Sequence, residues 1–342
     1  MARPAVVFCR YDRTDVLPYS GLEQIPDWLL ASLACPHDRL PLRAHGNSLV
    51  CAANHRYTSR GGVPVLLRDD VRHTHEAALH ALRGQDDDEP TVPPGTVDPY
   101  VREAIGATGG CMYDGLGARL ADYPIPALRL PRGDGRTFLD IGCSWGRWSI
   151  AAARSGYRVV GIDPSLVAIR AARRVARQLG VDAYYLVGDA RHLPFADATF
   201  AAVFSYSVIQ HFSKPDAQAA FAEIGRVLGA GGESLIQMPN AFGLRSFYHQ
   251  GRRLFRDARL FEVRYWTVGE LRAAAERLVG PTTVTVDGFF SLNPQPTDLP
   301  FLRWQHRVVV QASEALRRAS VRFRALTYVA DSIYVASRRL AK

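Results

Sequence analysis

The sequence predicts an α/β protein whose seven-stranded, mostly parallel sheet carries helices on both faces. The main observation is that, from Arg136 onward, short apolar runs alternate with segments of helical spacing, which is typical of crossover connections between parallel strands. The second is that the 342 residues, 47% hydrophobic and 22% charged, are sufficient for a large core. The third is that residues 86–99 are rich in acidic residues and proline, which predicts a linker between this region and a smaller unit before it.

The elements follow from the periodicity of apolar residues. Strands are predicted over residues 137–141, 158–162, 184–187, 201–206 and 233–238, and in the tail over 282–287 and 330–337. Helices are predicted over 71–82, 148–154, 165–179, 215–228, 267–278 and 305–320. Ser165 is a typical N-cap and Gly180 a typical stop signal, so these two residues bound the third of those helices.

These patterns divide the chain into six segments. They are an N-terminal segment (1–25), a compact turn-rich module (26–70), a linker (71–99), a helical segment (100–135), the main α/β region (136–240) and a tail that completes the sheet (241–342). No apolar run approaches the length of a membrane-spanning helix, and the N-terminus lacks the apolar core of a secretory signal. We therefore expect a cytoplasmic protein.

The charge and the cysteines narrow the function classes. The net charge of +9 comes almost entirely from arginine and is dispersed, which favours solvated surface over a nucleic-acid stripe. Residues 317–324 are basic and partly amphipathic, so peripheral contact with a membrane stays open. The five cysteines are too few and scattered for a disulfide scaffold, and their odd number favours reduced thiols or metal ligands.

Three strand ends carry residues suited to a nucleoside-containing ligand. The first strand runs into a tight turn in which Gly142 and Gly146 allow close approach of the backbone, and the next helix offers free N–H groups. Asp163 ends the second strand, where a carboxylate can accept hydrogen bonds from both ribose hydroxyls. After the third strand, Asp189 can accept from an adenine amino group, and the Ala190 amide can read a ring nitrogen.

Over about residues 136–240 the chain resembles the class I S-adenosylmethionine-dependent methyltransferases. The segments that carry the resemblance are LDIGCSWGRWS, VVGIDPS, VGDARHLPFADATF and VFSYSVIQHF, followed by EIGRVLGAGG. The resemblance implies a Rossmann-like core, cap helices in residues 100–135 and a substrate lid after residue 240. By matching positions, it implies a cofactor site formed by Asp140, Gly142, Cys143, Ser144, Gly146, Asp163, Pro164, Asp189, Ala190, Arg191, Ser205 and Gln210.

The glycine loop departs from the family pattern at one position. The usual central glycine is Ser144, followed by the bulky Trp145, and a serine excludes a backbone angle that only glycine tolerates. The alternative of a nicotinamide dehydrogenase fits less well. That fingerprint needs glycine at the positions of Gly142, Ser144 and Arg147, and only the first is present.

The N-terminal module carries a second constellation. Cys35-Pro36-His37-Asp38 and Cys51-Ala52-Ala53-Asn54-His55 resemble the zinc ribbon that precedes some methyltransferase domains, including certain ribosomal RNA guanine methyltransferases. The resemblance implies zinc ligands at Cys35, Asp38, Cys51 and His55. Asp38 replaces the usual second cysteine, and structural zinc prefers sulfur and imidazole, so a ribbon that binds no metal is the open alternative. His73, His75 and His80 lack a matching acidic or cysteine cluster and are expected on a solvated helix.

The family's chemistry places modest demands on the protein. The cofactor's sulfonium is already an excellent leaving group, so the protein mainly positions the acceptor and excludes water. A base is needed only where the acceptor must lose a proton early, and the candidates are His211, Tyr206 and Tyr113.

Three functions stay open at this stage. An aromatic tail favours a methyltransferase for a small or lipophilic metabolite, such as a quinone, a phenol or a natural-product intermediate. The ribbon and the net charge of +9 favour an RNA methyltransferase, although the fourth strand ends in Ser205-Tyr206-Ser207 and not in an Asn-Pro-Pro-Tyr-type segment. The third is a non-catalytic module that binds the cofactor or a partner.

Overall fold

The computed structural model describes residues 22, 25–73, 76–83, 90–93, 95–259, 261–290 and 293–340. The predicted N-terminal segment (1–25) therefore lies almost entirely outside the described residues, as do His75 and much of the predicted linker at 71–99.

A single sheet runs through the described residues. Its strands are β1 (Arg43–His45), β2 (Ser48–Val50), β3 (Arg56–Arg60), β4 (Val63–Leu66), β5 (Thr137–Ile141), β6 (Arg158–Asp163), β7 (Ala183–Gly188), β8 (Phe200–Ser205), β9 (Leu228–Pro239), β10 (Thr282–Gly288) and β11 (Ser332–Arg338). Their order across the sheet is β1-β2-β3-β4-β7-β6-β5-β8-β9-β11-β10. The pairs from β4 to β9 are parallel, whereas β11 is antiparallel to both β9 and β10. The predicted α/β class is confirmed, and all seven strands predicted after residue 136 are present.

Helices cover both faces of this sheet. They are α1 (Asp27–Leu30), α2 (Glu76–Arg83), α3 (Pro99–Gly109), α4 (Arg147–Arg154), α5 (Leu166–Gln178), α6 (Lys214–Val227), α7 (Leu244–Arg252), α8 (Val268–Leu278) and α9 (Trp304–Arg322). Ser165 caps α5 as predicted, because its hydroxyl accepts from the Ala168 amide at 3.2 Å. None of the helices in the described part of the chain combines the length and hydrophobicity that crossing a bilayer requires.

Alternation along β5 shows how the two faces are filled. Leu139 and Ile141 belong to the apolar cluster that contains α6 and α8 residues such as Phe221 and Leu271. Phe138 points to the opposite face, in the cluster that contains Trp148 of α4. A strand with a period of two thus supplies side chains to both layers.

The N-terminal module is continuous with the main sheet. β1 to β4 form an antiparallel meander, and β4 then pairs in parallel with β7, with Val65 opposite Val187 and Leu66 opposite Gly188. The module therefore covers the edge that β7 would otherwise present. Leu49 and Leu66 of the module share one hydrophobic cluster with Leu186 of β7.

Candidate functional site

A cleft of about 290 Å³ opens at the carboxyl ends of β5, β6, β7 and β8. The strand order reverses between β5 and β8, and ligands of open α/β sheets bind beside such a reversal. Nine of the predicted site residues line the cleft: Gly142, Cys143, Ser144, Asp163, Pro164, Asp189, Ala190, Tyr206 and His211. Residues that the motifs did not single out also line it, among them His73, Tyr100, Thr108, Phe212 and Phe261.

The loop after β5 depends on two glycines. Gly142 has φ +72°, and a Cβ there would lie 2.2 Å from a methyl group of Val208. Gly146 has φ +83°, and its Cβ would lie 2.7 Å from the Tyr185 hydroxyl oxygen. Ser144 has φ +47°, in the left-handed region that favours glycine but that a small residue can adopt at modest cost. The loop therefore keeps its tight turn without a third glycine.

Asp163 fastens two loops of the cleft to each other. Its Oδ2 accepts from the Ser144 amide at 3.0 Å and its Oδ1 from the Ser165 amide at 2.9 Å. Tyr100, on α3, faces the same region. Burial, with a smaller contribution from the charge of Asp163, raises the pKa of Tyr100 to about 12. The phenol therefore stays neutral as a potential donor beside a fixed carboxylate.

Asp189 is held by an ion-pair network that reaches into the N-terminal module. It accepts from the Arg191 amide at 2.9 Å and from Arg191 Nη2 at 2.7 Å, and His73 Nδ1 lies 3.6 Å from Oδ2. Burial alone would raise the pKa of Asp189, but the nearby His73 imidazole and the hydrogen bonds from Arg191 hold this pKa well below its usual range. Arg191 itself lies behind the lining residues and also donates to the Arg72 carbonyl oxygen at 3.1 Å.

The expectation that His73 lies on a solvated helix is wrong. Its side chain is 3% exposed, and its Nε2 lies 2.6 Å from the Arg68 carbonyl oxygen. The pKa of His73 is raised, chiefly because the Asp189 carboxylate lies 3.6 Å from its Nδ1. No periodicity or spacing in the sequence could have indicated this, because the partner Asp189 is brought near only by the β4–β7 pairing.

His211 ends the short 3₁₀ turn Ile209–His211 at the far side of the cleft. Its Nδ1 lies 2.7 Å from the Phe261 carbonyl oxygen, and its ring stacks on the Phe261 ring with centroids 3.9 Å apart. Two acceptors would repel at that distance, so Nδ1 carries the proton and Nε2 is the basic nitrogen. The Gln210 amide lies 3.3 Å from this Nε2, so Gln210 orients the imidazole from behind the lining.

Tyr206 and Tyr113, the other two candidate bases, both donate their hydroxyl protons to buried aspartates. Tyr206 lines the cleft, but its hydroxyl donates to Asp287 Oδ2 at 2.7 Å, and burial raises its pKa well above the usual range. Tyr113 is fully buried outside the cleft and donates to Asp298 Oδ1 at 2.6 Å. The structure therefore places Tyr113 outside the residues that line the cleft, and its hydroxyl is linked through Asp298 to Arg147, which does line it.

Three further predicted cofactor contacts are directed away from the cleft. Asp140 is buried and accepts from the Ser149 hydroxyl at 2.6 Å, which fixes α4 on β5. Ser205 donates to the Ile141 carbonyl oxygen at 3.1 Å. Gly146 forms part of the turn after β5 but does not line the cleft. These residues support the cleft from behind. Sequence alone places them in the motif but does not show which way a side chain points.

The four predicted metal ligands come together in the N-terminal module. One donor atom from each of Cys35, Asp38, Cys51 and His55 lies within 4.8 Å of the others. His55 Nδ1 lies 2.9 Å from Asp38 Oδ2, 3.4 Å from Cys51 Sγ and 3.5 Å from Cys35 Sγ. A tetrahedral zinc ion with its usual bond lengths would space such ligands about 3.3–3.8 Å apart. Two thiols, an imidazole and a carboxylate are ligand types that zinc binds, and the two sulfur distances from His55 lie in this range. The 2.9 Å between His55 Nδ1 and Asp38 Oδ2 is shorter and would lengthen around a bound ion.

Comparison with known proteins agrees with the resemblance. Residues 138–232 match the family model described as a methyltransferase domain. A ubiquinone biosynthesis O-methyltransferase of Agrobacterium fabrum is 37% identical over 96 residues, 28% of this chain and 35% of that protein. A sterol 24-C-methyltransferase of Eremothecium gossypii is 35% identical over 101 residues, 29% of this chain and 26% of that protein. The chain thus spans about a third or less of the length of these two curated relatives.

Solved structures show similar chains at low identity. A phosphoethanolamine N-methyltransferase of Haemonchus contortus, crystallised with S-adenosyl-L-methionine, is 18% identical. The match covers 73% of this chain and 62% of that one, with a TM-score of 0.45. Residues 138–232 thus resemble a methyltransferase domain both by the family model and by the motifs described above.

The buried Asp140 predicts a pH-dependent stability. Burial raises its pKa from 3.8 to about 7, so the folded protein retains a proton that the unfolded chain releases. The free energy of unfolding should therefore fall as the pH rises from about 4 to about 7, and Asp140→Asn should remove this part of the slope. Urea denaturation of both proteins across this range measures it, with Asp182→Asn, an exposed acid, as the control. Parallel curves for wild type and Asp140→Asn would contradict the prediction.

Proposed function

We propose that this protein is an S-adenosylmethionine-dependent methyltransferase that acts on a small or lipophilic acceptor. The observation that carries the proposal is that Asp163 and Asp189, at the ends of neighbouring strands, line one cleft with the loop of Gly142. When bound, S-adenosylmethionine supplies a methyl group on a sulfonium centre, ready for direct displacement by an in-line nucleophile.

The residues present fit that cofactor. Asp163 would accept from the ribose hydroxyls, and Asp189 with the Ala190 amide would hold the adenine end. The absence of a side chain at Gly142 lets the backbone approach the ligand, and the amino end of α4 offers N–H groups to its carboxylate. Tyr100 and Trp145 close the cleft from the side of α3 and limit the access of water.

The acceptor side of the cleft is aromatic. Tyr206, Phe212 and Phe261 line it, with Val208 between them and the glycine loop. Such a surface favours a flat or lipophilic acceptor over a charged one. Two relatives are named for ubiquinone biosynthesis and for a sterol, which supports an acceptor of this class.

His211 is the candidate base for an acceptor that carries a hydroxyl group. Its Nδ1–H is committed to the Phe261 carbonyl oxygen, so Nε2, which lies 3.3 Å from the Gln210 amide, would take the acceptor's proton in exchange for that contact. Tyr206 is unsuited to this task, because its proton is shared with Asp287. We propose Tyr206 as a wall and a hydrogen-bond anchor of the acceptor pocket.

Calorimetry with S-adenosylmethionine tests the central proposal. Wild type should bind, and Asp163→Asn should bind roughly tenfold or more weakly, because a charged acceptor is replaced by a neutral amide. Asp182→Asn, an exposed acid just before β7 at the opposite end of the strands, should bind like wild type. A folded wild-type protein that does not bind the cofactor would refute the proposal.

Kinetics of a His211→Gln variant test the proposed base. With radiolabelled cofactor and a panel of phenols and hydroquinones, methyl transfer should fall about a hundredfold, while cofactor affinity should change little. His45→Gln, on the exposed strand β1, is the matched control. Equal rates for His211→Gln and wild type on a hydroxyl acceptor would show that no base acts at this position.

We propose, second, that Cys35, Asp38, Cys51 and His55 bind a structural zinc ion that stabilises the N-terminal module. Cys35 and Cys51 are buried, and all four donors converge, so the site would be closed as structural zinc sites are. The carboxylate of Asp38 takes the place of a sulfur ligand. The metal would have no part in methyl transfer, since it would lie in the module and not among the residues that line the cleft.

Zinc content per chain tests this proposal. Wild type should carry about one zinc ion, Cys51→Ser should lose it, and Asp38→Cys should hold it more tightly against a chelator. Cys111→Ser, which changes an exposed thiol elsewhere, should keep the wild-type content. Folded wild-type protein that stays free of zinc when the metal is supplied would overturn the assignment.

A further inference from the structure

One surface of the molecule exposes an unusual number of large apolar side chains. They lie on α7 and the turns before and after it: Phe242 (59% exposed), Leu244 (63%), Phe247 (54%), Tyr248 (60%), Leu254 (88%) and Phe255 (61%). We call these six residues the α7 surface. Single exposed apolar residues are ordinary, but a cluster of this size on one element indicates a surface that meets an apolar partner.

Two of these side chains, Leu254 and Phe255, belong to a strained turn at the end of α7. Leu254 and Phe255 have φ +54° and +55°, so two consecutive residues with bulky side chains occupy the left-handed region. Their amides donate to the carbonyl oxygens of Gly251 and Gln250 at 2.8 and 2.9 Å, which ends α7. Left-handed geometry is costly for such residues, and strain of this kind is concentrated at functional positions.

The charge around the α7 surface is positive. Residues 241–266 contain six arginines against Asp257 and Glu262, a net charge of +4. Arg253 and Arg256 bind within the segment, to the Val263 carbonyl oxygen and to Glu262. The side chains of Arg252 and Arg259 are exposed beside the apolar tip, and Arg252 lies over the Tyr248 ring at 6.0 Å. Exposed aromatic and aliphatic side chains flanked by arginine are typical of helices that lie in the interface of an anionic bilayer.

The α7 surface also adjoins the cleft. The segment that follows Leu254 and Phe255 reaches Phe261, which lines the cleft and stacks on His211. Arg264 in the same segment donates to the His211 carbonyl oxygen. A surface on which α7 rests would therefore lie beside the acceptor end of the cleft.

We propose that the α7 surface docks the protein on an anionic lipid bilayer, with Leu254 and Phe255 inserted among the acyl chains and Arg252 and Arg259 at the headgroups. Docking in this orientation brings the cleft mouth to the membrane, from which a lipophilic acceptor can enter. That last step rests on the proposed methyltransferase function, whereas the docking itself does not. A protein partner is the competing occupant of the surface.

Co-sedimentation with lipid vesicles tests the docking. The full chain should bind vesicles of phosphatidylcholine with about 30% phosphatidylglycerol and bind pure phosphatidylcholine vesicles much more weakly. Binding should decrease as salt rises from about 0.1 to about 0.5 M. The double variants Leu254→Ser with Phe255→Ser, and Arg252→Gln with Arg259→Gln, should each reduce binding to anionic vesicles roughly tenfold or more.

The matched control is Val321→Ser with Phe323→Ser, at the basic end of α9, where two side chains are 79% and 64% exposed. It should bind vesicles like wild type. Absence of vesicle binding by the folded chain would overturn the proposal in favour of a protein partner, and equal losses in the control would overturn the assignment to α7. Calorimetry with S-adenosylmethionine on the same variants separates the two proposals, because cofactor affinity should stay within about twofold whatever the vesicles show.

Discussion

The cleft depends on the close approach of the loop after β5 to the segment after β8. Gly142 lies so near Val208 that a methyl group added to Gly142 would collide with the Val208 side chain. The ends of β5 and β8, where the strand order reverses, therefore approach each other at a residue without a side chain. Asp163 then fastens the same loop to the start of α5. The shape of the cleft therefore depends on the fold and on two side chains that line it, those of Val208 and Asp163.

Much of this arrangement could be predicted because it is local. Strands β5 to β9 and their helices follow from periodicity, and the acidic residues at the ends of β6 and β7 follow from the motif. The orientation of side chains could not be predicted from the motif: Asp140 belongs to it but is directed to Ser149, and Arg191 binds Asp189 from behind the lining. His73, Tyr100 and Tyr113 depend on contacts between distant segments, for which a single sequence carries no pattern. The sequence predicts Tyr113 as a candidate base, whereas in the structure its hydroxyl donates to the buried Asp298.

The N-terminal module takes part in the cleft. Its last strand extends the sheet, and the chain that leaves it brings the Arg72 carbonyl oxygen to Arg191 and His73 to Asp189. The acidic residue that would hold the adenine end is therefore positioned jointly by the core and by the module. A change in the module would therefore act on that carboxylate through the contacts of Arg72 and His73.

The parallel pairing of β4 with β7 also bears on how the chain folds. β4 is complete at Leu66, but its partner Ala183–Gly188 is made only after β5, β6 and the four helices α2 to α5 have been added. During synthesis the edge of β4 therefore stays unpaired until β7 has been made. Pairing β4 with β7 closes the long loop between them, which is slow compared with the formation of local contacts. At the other edge of the meander, β1 is exposed along its length and carries Arg43, and a charged side chain on an edge strand opposes edge-to-edge association.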